Sequence, residues 1–599
     1  MIARFMLLFT GLLFITAQGS WSAALPLPQQ TEKAPQKTDK STPKATESAQ
    51  KAEKSPPKAE KSAQKTDKAA PKDAKAAPKA ETAPKPPPAA SVTDGSILIG
   101  GQKVEYRATA GTLPAMDKTG KAKANIFYVA YTKKTGESLA KRRLTFCFNG
   151  GPGTSSAYVH LGFFGPRRVL INDDGLGAPH PTQLVDNDCS ILDITDLVCI
   201  DPVSTGLSRA EKTSEAVLFH GLEEDTFSIG EFIRDYVAKY ERKESPTFIA
   251  GESYGTTRAA SLSSYLQGRG GVKLAGIVLI SAVLDFQTIN FGAGNELPFA
   301  LFLPTYTATA YNHGKLDKKW ATDLPTALRE VQRFADGPYL EALHKGNLLS
   351  DYERQAVAKQ MAMLTGLSEE FVLRSDLRVE AGRFRSELLR DKQLLVGRLD
   401  TRVVAKSGGG QVAAGAGGPA AGGGPVAGSG PVAGGGPVAG GGPAAGAGRG
   451  ARGGRGGGGD PSQALLAGIV TEGIRAYVPN SLGYKTDTSY LLSATVQPWS
   501  YGRAGTNRYA NVAPRLRAAL EKDKTLRVLV ASGYCDLATP FAGTNYTFAH
   551  MGPRSLMSQV TMTYYEVGHM IYTHEPSRRK LREDIVKFMT GSAEGEKKP

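Results

Sequence analysis

The sequence predicts an α/β fold built on a mainly parallel sheet, and three observations predict it. Short apolar runs recur at Leu144–Phe148, Leu197–Ile200, Pro246–Ala250 and Leu274–Leu284, each of a length suited to a buried strand. Between them, Leu222–Tyr240 has helical spacing, with Phe227, Ile229, Phe232, Ile233, Tyr236 and Val237 forming one stripe. The runs also end in glycine-bearing loops, the pattern of strands that alternate with helices and carry function at their tips.

In chain order, Arg4, an apolar run from Phe5 to Ala17 and small residues near Ala24 predict a secretory signal peptide over 1–24. The run is short for a bilayer span, and no later segment is apolar and long enough, so no membrane span is expected after cleavage. Residues 25–92 are read as a disordered Lys/Ala/Pro-rich linker, because almost no large apolar residue is present to offset the entropy of ordering. Folded sequence is expected to begin near Ile97, with the first part of the sheet domain over 93–285. Val104–Ala108 and Ile126–Thr132 alternate as a strand or hairpin start would. Residues 286–493 leave that rhythm and read as a helical lid inserted into the sheet domain. Its clearest helix starts at Ser350, which with Glu353 forms a capping box ahead of Val357, Met361 and Leu364. Within the insertion, 407–460 is nearly all Gly, Ala, Pro and Val and is read as a disordered loop. The sheet resumes over 494–592 with Arg527–Ala531 and Thr561–Tyr565, followed by a tail at 593–599.

Composition narrows the function classes. The net charge is +16, but residues 31–90 alone hold 14 lysines against 8 acidic residues. Charge spread in that way is usually solvation, so no nucleic-acid partner is expected, and three arginines at 449, 452 and 455 do not change this. Four cysteines are too few for a disulfide scaffold of this size. Cys189 and Cys199 are the closest pair in sequence, and buried free thiols are the other reading. No metal cluster, dinucleotide fingerprint or phosphate loop is present, so neither metal nor cofactor is expected.

The chemistry gathers around Gly251-Glu252-Ser253-Tyr254-Gly255, which follows the run ending at Ala250 and precedes a helical start at Arg258–Leu262. Small neighbours let a serine sit on a sharp strand-to-helix turn with its hydroxyl clear of the sheet; an ordinary βα loop fits the pentapeptide equally well. Acyl transfer also requires a base and a carboxylate that orients it. His569 directly follows a late strand, with His574 as runner-up. Asp536 follows Arg527–Ala531 through a glycine-bearing turn and is the preferred acid, with Asp285 its competitor. Asn149-Gly150-Gly151-Pro152-Gly153-Thr154-Ser155-Ser156 follows another strand and could offer backbone N–H groups to an oxyanion.

Four stretches in this order, Asn149 to Ser156, Asp201 to Ser208, Gly251 to Gly255, and the pair around Asp536 and His569, resemble the serine carboxypeptidases over roughly Lys103 to Lys587. The resemblance implies an α/β-hydrolase fold, Ser253 as nucleophile, His569 as general base then acid, and Asp536 as its orienter. It further implies an oxyanion hole from the N–H groups of Gly151 and Tyr254. The family holds the free C-terminal carboxylate of a peptide through an asparagine and two glutamates; Asn149 and Glu252 match two of these. Phe163 stands at the third position and Thr154 replaces a usual half-cysteine. A glutamate must be protonated to donate to a carboxylate, which favours acidic pH. With one glutamate in place of two, a weaker acid optimum is expected. Arg167 or Arg168 is an alternative partner for the carboxylate, with a structural role the other reading.

The leading expectation is therefore an exported, periplasmic or extracellular serine carboxypeptidase acting on peptides with a free C-terminus. An esterase or acyltransferase on the same scaffold would share the triad without needing the carboxylate. A non-catalytic envelope binding protein, presented on the Lys/Pro-rich spacer, would need neither triad nor oxyanion loop.

Overall fold

The computed structural model describes residues 87–407, 459–506 and 509–591, and a ten-stranded sheet runs through them. The expected signal peptide, nearly all of the linker, the Gly-rich stretch apart from its ends, and the tail lie outside the described residues. Nine strands form the sheet's main path: β1 Ser91–Ile99, β2 Gln102–Met116, β3 Ala122–Lys133, β4 Arg143–Phe148, β5 Thr195–Ile200, β6 Thr247–Glu252, β7 Leu274–Ile280, β8 Arg527–Gly533 and β9 Val560–Tyr565. Their spatial order is β1-β2-β3-β5-β4-β6-β7-β8-β9, and the two-residue strand Arg209–Ala210 pairs with β3. β1, β2 and β3 are antiparallel, as is β3 with β5, while every pair from β5 to β9 is parallel.

The parallel strands read as unbroken apolar runs because both faces are covered. Alternate residues divide between two cores. Phe248, Ala250, Val278, Ile280, Leu529 and Ala531 face one; Ile249, Ile277, Leu279, Val528 and Val530 face the other. α1 Leu222–Lys239 buries Ile229, Phe232, Ile233 and Tyr236 in the second core. Glu223, Glu224 and Asp225 fill its first turn, where carboxylates complement the helix dipole. α2 Tyr254–Tyr265 follows β6 after a single residue.

Several boundaries differ from the sequence reading. The first strand opens at Ser91 rather than near Ile97. Its early positions alternate between exposed and half-buried, so pairing with β2 holds them and no apolar run announces them. α2 begins at Tyr254, four residues before the expected start, because the turn at Ser253 leads straight into it. β7 ends at Ile280, and Ser281 to Leu284 leave the sheet.

The lid core is distinct. α3 Leu297–Asn312, α4 Leu324–Phe334 and α5 Asp351–Thr365 pack Leu303, Tyr306, Val331, Phe334, Met361 and Leu364 around Phe384. The Tyr306 and Phe384 rings stack at 4.0 Å. The capping box at the start of α5 is present as read: Ser350 N donates to Glu353 Oε2 at 2.8 Å, and Glu353 N donates to Ser350 Oγ at 3.3 Å. α6 Pro461–Asn480, expected in the lid, instead places Leu466, Val470, Ile474 and Tyr477 in the first sheet-domain core. Its apolar spacing is that of any amphipathic helix, so the sequence could not say which core it faces. Among the described residues, no helix is long and apolar enough to cross a membrane.

Candidate active site

The parallel register brings the carboxyl ends of β4, β6, β7, β8 and β9 to one edge, where α/β sheets place their ligands. Phe148 lies opposite Gly251, Glu252 opposite Ile280 and Gly533 opposite Tyr565. Ser253 joins β6 to α2 with φ 60° and ψ −131°, a conformation that is strained for a residue with a β-carbon and persists only when its surroundings enforce it. Small residues make the turn possible: a β-carbon on Gly251 would lie 2.2 Å from the Gly255 carbonyl oxygen. A β-carbon on Gly150 would lie 2.4 Å from the Tyr254 nitrogen, so the Asn149–Gly153 loop is pressed directly against the serine turn. Tyr254 opens α2, where a helical N–H has no acceptor within its own helix.

Asp536 and His569 are brought together. His569 Nδ1–H donates to Asp536 Oδ2 at 2.7 Å, which leaves Nε2 as the nitrogen free to act as base. Both side chains are buried. Asp536 Oδ1 accepts from the Ala538 and Thr539 amides at 2.7 and 3.0 Å, and Thr539 Oγ1 donates to Oδ2 at 2.6 Å. Burial alone would push the imidazole pKa down, but the charge and hydrogen bond of Asp536, helped by Glu252, outweigh it and leave the pKa raised. The histidine backbone is fixed by its N–H, which donates to Leu399 O at 2.6 Å. Its carbonyl accepts from Ser281 Oγ at 2.6 Å, and the residue before that serine, Ile280, accepts from Ser253 N at 3.0 Å. Two hydrogen bonds through the end of β7 thus tie the histidine loop to the serine turn. Among the described residues, no hydrogen bond joins the Ser253 hydroxyl to the His569 ring. Such contacts are often long before substrate arrives.

Asn149 and Glu252 also meet. Asn149 Nδ2 donates to Glu252 Oε1 at 2.8 Å, while Val159 N donates to Asn149 Oδ1 at 2.9 Å, which fixes the amide's orientation. Burial raises the Glu252 pKa to about 7 against the opposing influence of His569. The competitors fall elsewhere. Asp285 caps a short helical turn, accepting from Gln287 N and Asn511 Nδ2 at 2.9 Å each, and His574 Nδ1 pairs with Ser577 Oγ. Arg167 is engaged by Asp186 and by Leu184 O, and Arg168 bonds Val169 O; neither bonds a site residue. Phe163 is buried and stacks on Tyr572. All four cysteines are free and buried; the neighbouring pair is Cys147 and Cys199, with Sγ atoms 3.1 Å apart, not Cys189 and Cys199. Among the described residues no cluster is suited to hold a metal.

Sequence reasoning missed several supports of this site. Arg258 is fully buried on α2; its Nε donates to Asp225 Oδ2 at 2.7 Å and its Nη1 to Asn149 O at 2.6 Å. Tyr254 Oη donates to the same Asp225 oxygen at 3.3 Å. One ion pair therefore spans α1, α2 and the glycine loop. The position of Arg258 in the turn after Ser253 was the only available signal, and nothing local named its partner. Thr539, Ser281 and Tyr572 carried no signal at all.

A mainly parallel sheet with a positive-φ serine between strand and helix, and a histidine–carboxylate pair on later strand ends, defines an α/β-hydrolase. Residues 101–322 match the serine carboxypeptidase family model. The structure of the chain is similar to that of a prohormone-processing carboxypeptidase from Saccharomyces cerevisiae, with 15% identity, 81% of this chain and 91% of that chain covered, and a TM-score of 0.45. It is also similar to a thermostable carboxyl esterase from Bacillus coagulans, at 12% identity, with coverage of 80% and 98% and a TM-score of 0.30. The juvenile hormone epoxide hydrolase of Bombyx mori gives 10% identity, coverage of 81% and 79%, and a TM-score of 0.29. No curated protein sequence matches the chain.

Proposed function

We propose that the protein is an exported serine carboxypeptidase that releases C-terminal residues from peptides through an acyl-enzyme on Ser253. The observation that carries this reading is the buried Asp536–His569 hydrogen bond at 2.7 Å, held beside the strained Ser253 turn. Ser253 Oγ attacks the scissile carbonyl as His569 Nε2 takes its proton. The N–H groups of Gly151 and Tyr254 receive the oxyanion. The imidazolium then protonates the leaving amine, and water repeats the sequence on the acyl-enzyme. Asn149 and protonated Glu252 hold the substrate's C-terminal carboxylate.

The productive state needs a neutral His569 and a protonated Glu252. The two groups feel each other's charge, so they titrate as a pair and the rate profile reports the pair's apparent constants. With Glu252 raised to about 7 by burial, the alkaline limb of the pair lies well above the acid range.

Blocked dipeptides with free and amidated C-termini test the reading. Hydrolysis confined to the free acid, abolished in Ser253→Ala together with labelling by a serine-phosphonylating reagent, is the expected result. Equal rates on amide and free acid would point to an esterase or acyltransferase, and no labelling would remove the enzyme altogether.

A further inference from the structure

Two buried oxygens beside the serine turn have no hydrogen-bond partner among the described residues: Glu252 Oε2 and the Tyr572 hydroxyl. They belong to one cluster, in which the Tyr572 hydroxyl lies within hydrogen-bonding reach of the Glu252 carboxyl and the Asn149 side chain without closing a bond of good geometry to either. The Tyr572 ring has little freedom to turn away. It stacks on Phe163 with centroids 6.4 Å apart, and a β-carbon on Gly162 would stand 2.2 Å from it. A buried hydroxyl without a well-aligned partner weakens a fold, and one held this firmly keeps its hydrogen available to a better-placed acceptor.

We propose that the Tyr572 hydroxyl is a third donor to a substrate carboxylate, beside Asn149 and protonated Glu252. The inference rests on the carboxypeptidase reading of the Ser253 site. The chemistry of the cluster selects an anion. The phenol presents a hydrogen, the protonated glutamic acid presents another, and the Asn149 amide has a second N–H beyond the one given to Glu252 Oε1. Hydrogen bonds to a charged acceptor are the stronger kind. Burial also holds the phenol well above its ordinary pKa, so it remains a donor where Glu252 has ionised. Phe163 supports the ring from behind, so a neutral, pH-independent donor is built from an aromatic pair.

Tyr572→Phe in the full chain tests this, because phenylalanine keeps the ring and its packing. The variant should melt no lower than the parent. For a blocked peptide with a neutral C-terminal residue and a free carboxylate, KM should rise at least tenfold with kcat within twofold, while an ester or amidated peptide is unaffected. If instead an amidated peptide ending in aspartate shows the rise, the carboxylate held is a side chain and the proposal stands with that source. An unchanged KM on every acid substrate overturns it, as does an equal loss on amidated ones. So does a change confined to the alkaline limb set by Glu252, whose neighbours are His569, Asp536, Asn149, Tyr158 and Tyr572. A parent protein that cleaves no free-acid peptide removes the carboxypeptidase reading and this inference together; cleavage by parent and variant alike removes only the inference.

Discussion

Burial lifts the Glu252 pKa from 4.5 in the unfolded chain to about 7 in the folded one, so the native state binds its proton more tightly than the unfolded chain does. The resulting stabilisation is complete below about pH 4.5 and is lost as pH climbs through 7. The difference amounts to roughly 3 kcal/mol at about 1.4 kcal/mol per unit. Glu252→Gln should flatten that part of the stability curve, read by denaturant melts between pH 4 and 8. The amide donates at any pH, so the variant should also lose the alkaline limb near 7; a limb that stays in place would assign it to another group. At Asp536, replacement by Asn removes the carboxylate that orients Nδ1–H. The expected loss in kcat is about two to four orders of magnitude with KM little changed, measured on the blocked free-acid dipeptide.

At the scale of elements, the geometry is held by contacts that tolerate little change. Gly150→Ala sets a methyl 2.4 Å from the Tyr254 nitrogen, so the glycine loop must separate from the start of α2. Activity should fall at least a hundredfold while circular dichroism stays native; undiminished turnover would show that the two N–H groups do not act together. The Asp225–Arg258 pair is wholly buried. Arg258→Met strands a carboxylate and should cost about 3–5 kcal/mol, whereas combining it with Asp225→Leu should recover most of that. Ser350→Ala removes the cap of α5. It should cost about 1 kcal/mol with kcat/KM unaltered, because the lid's outer helix touches none of the reacting groups.

For the whole molecule, the site depends on separate cores meeting at one edge. Leu537, directly after Asp536, belongs to the lid core with Met361 and Phe384, while Leu399, which accepts from the His569 backbone, packs in the first sheet-domain core. Lid packing and triad geometry are thereby joined. Phe384→Ala should destabilise the fold by about 3–5 kcal/mol. It should also lower kcat at temperatures well below the melting transition, which a passive lid would not do.

The sequence by itself marked the parallel strands, the helix at Leu222, the capped helix after Ser350, the serine turn, the glycine loop and both members of the Asp536–His569 pair. Each leaves a local mark: an apolar run, a small-residue motif, or a polar residue just past a strand. Tertiary structure alone decided which cysteines are neighbours, which core α6 joins, and that Arg258, Thr539 and Tyr572 serve the site. Those facts depend on contacts between residues as far apart as Glu252 and Tyr572, and packing across the sheet edge is written in no single stretch of chain.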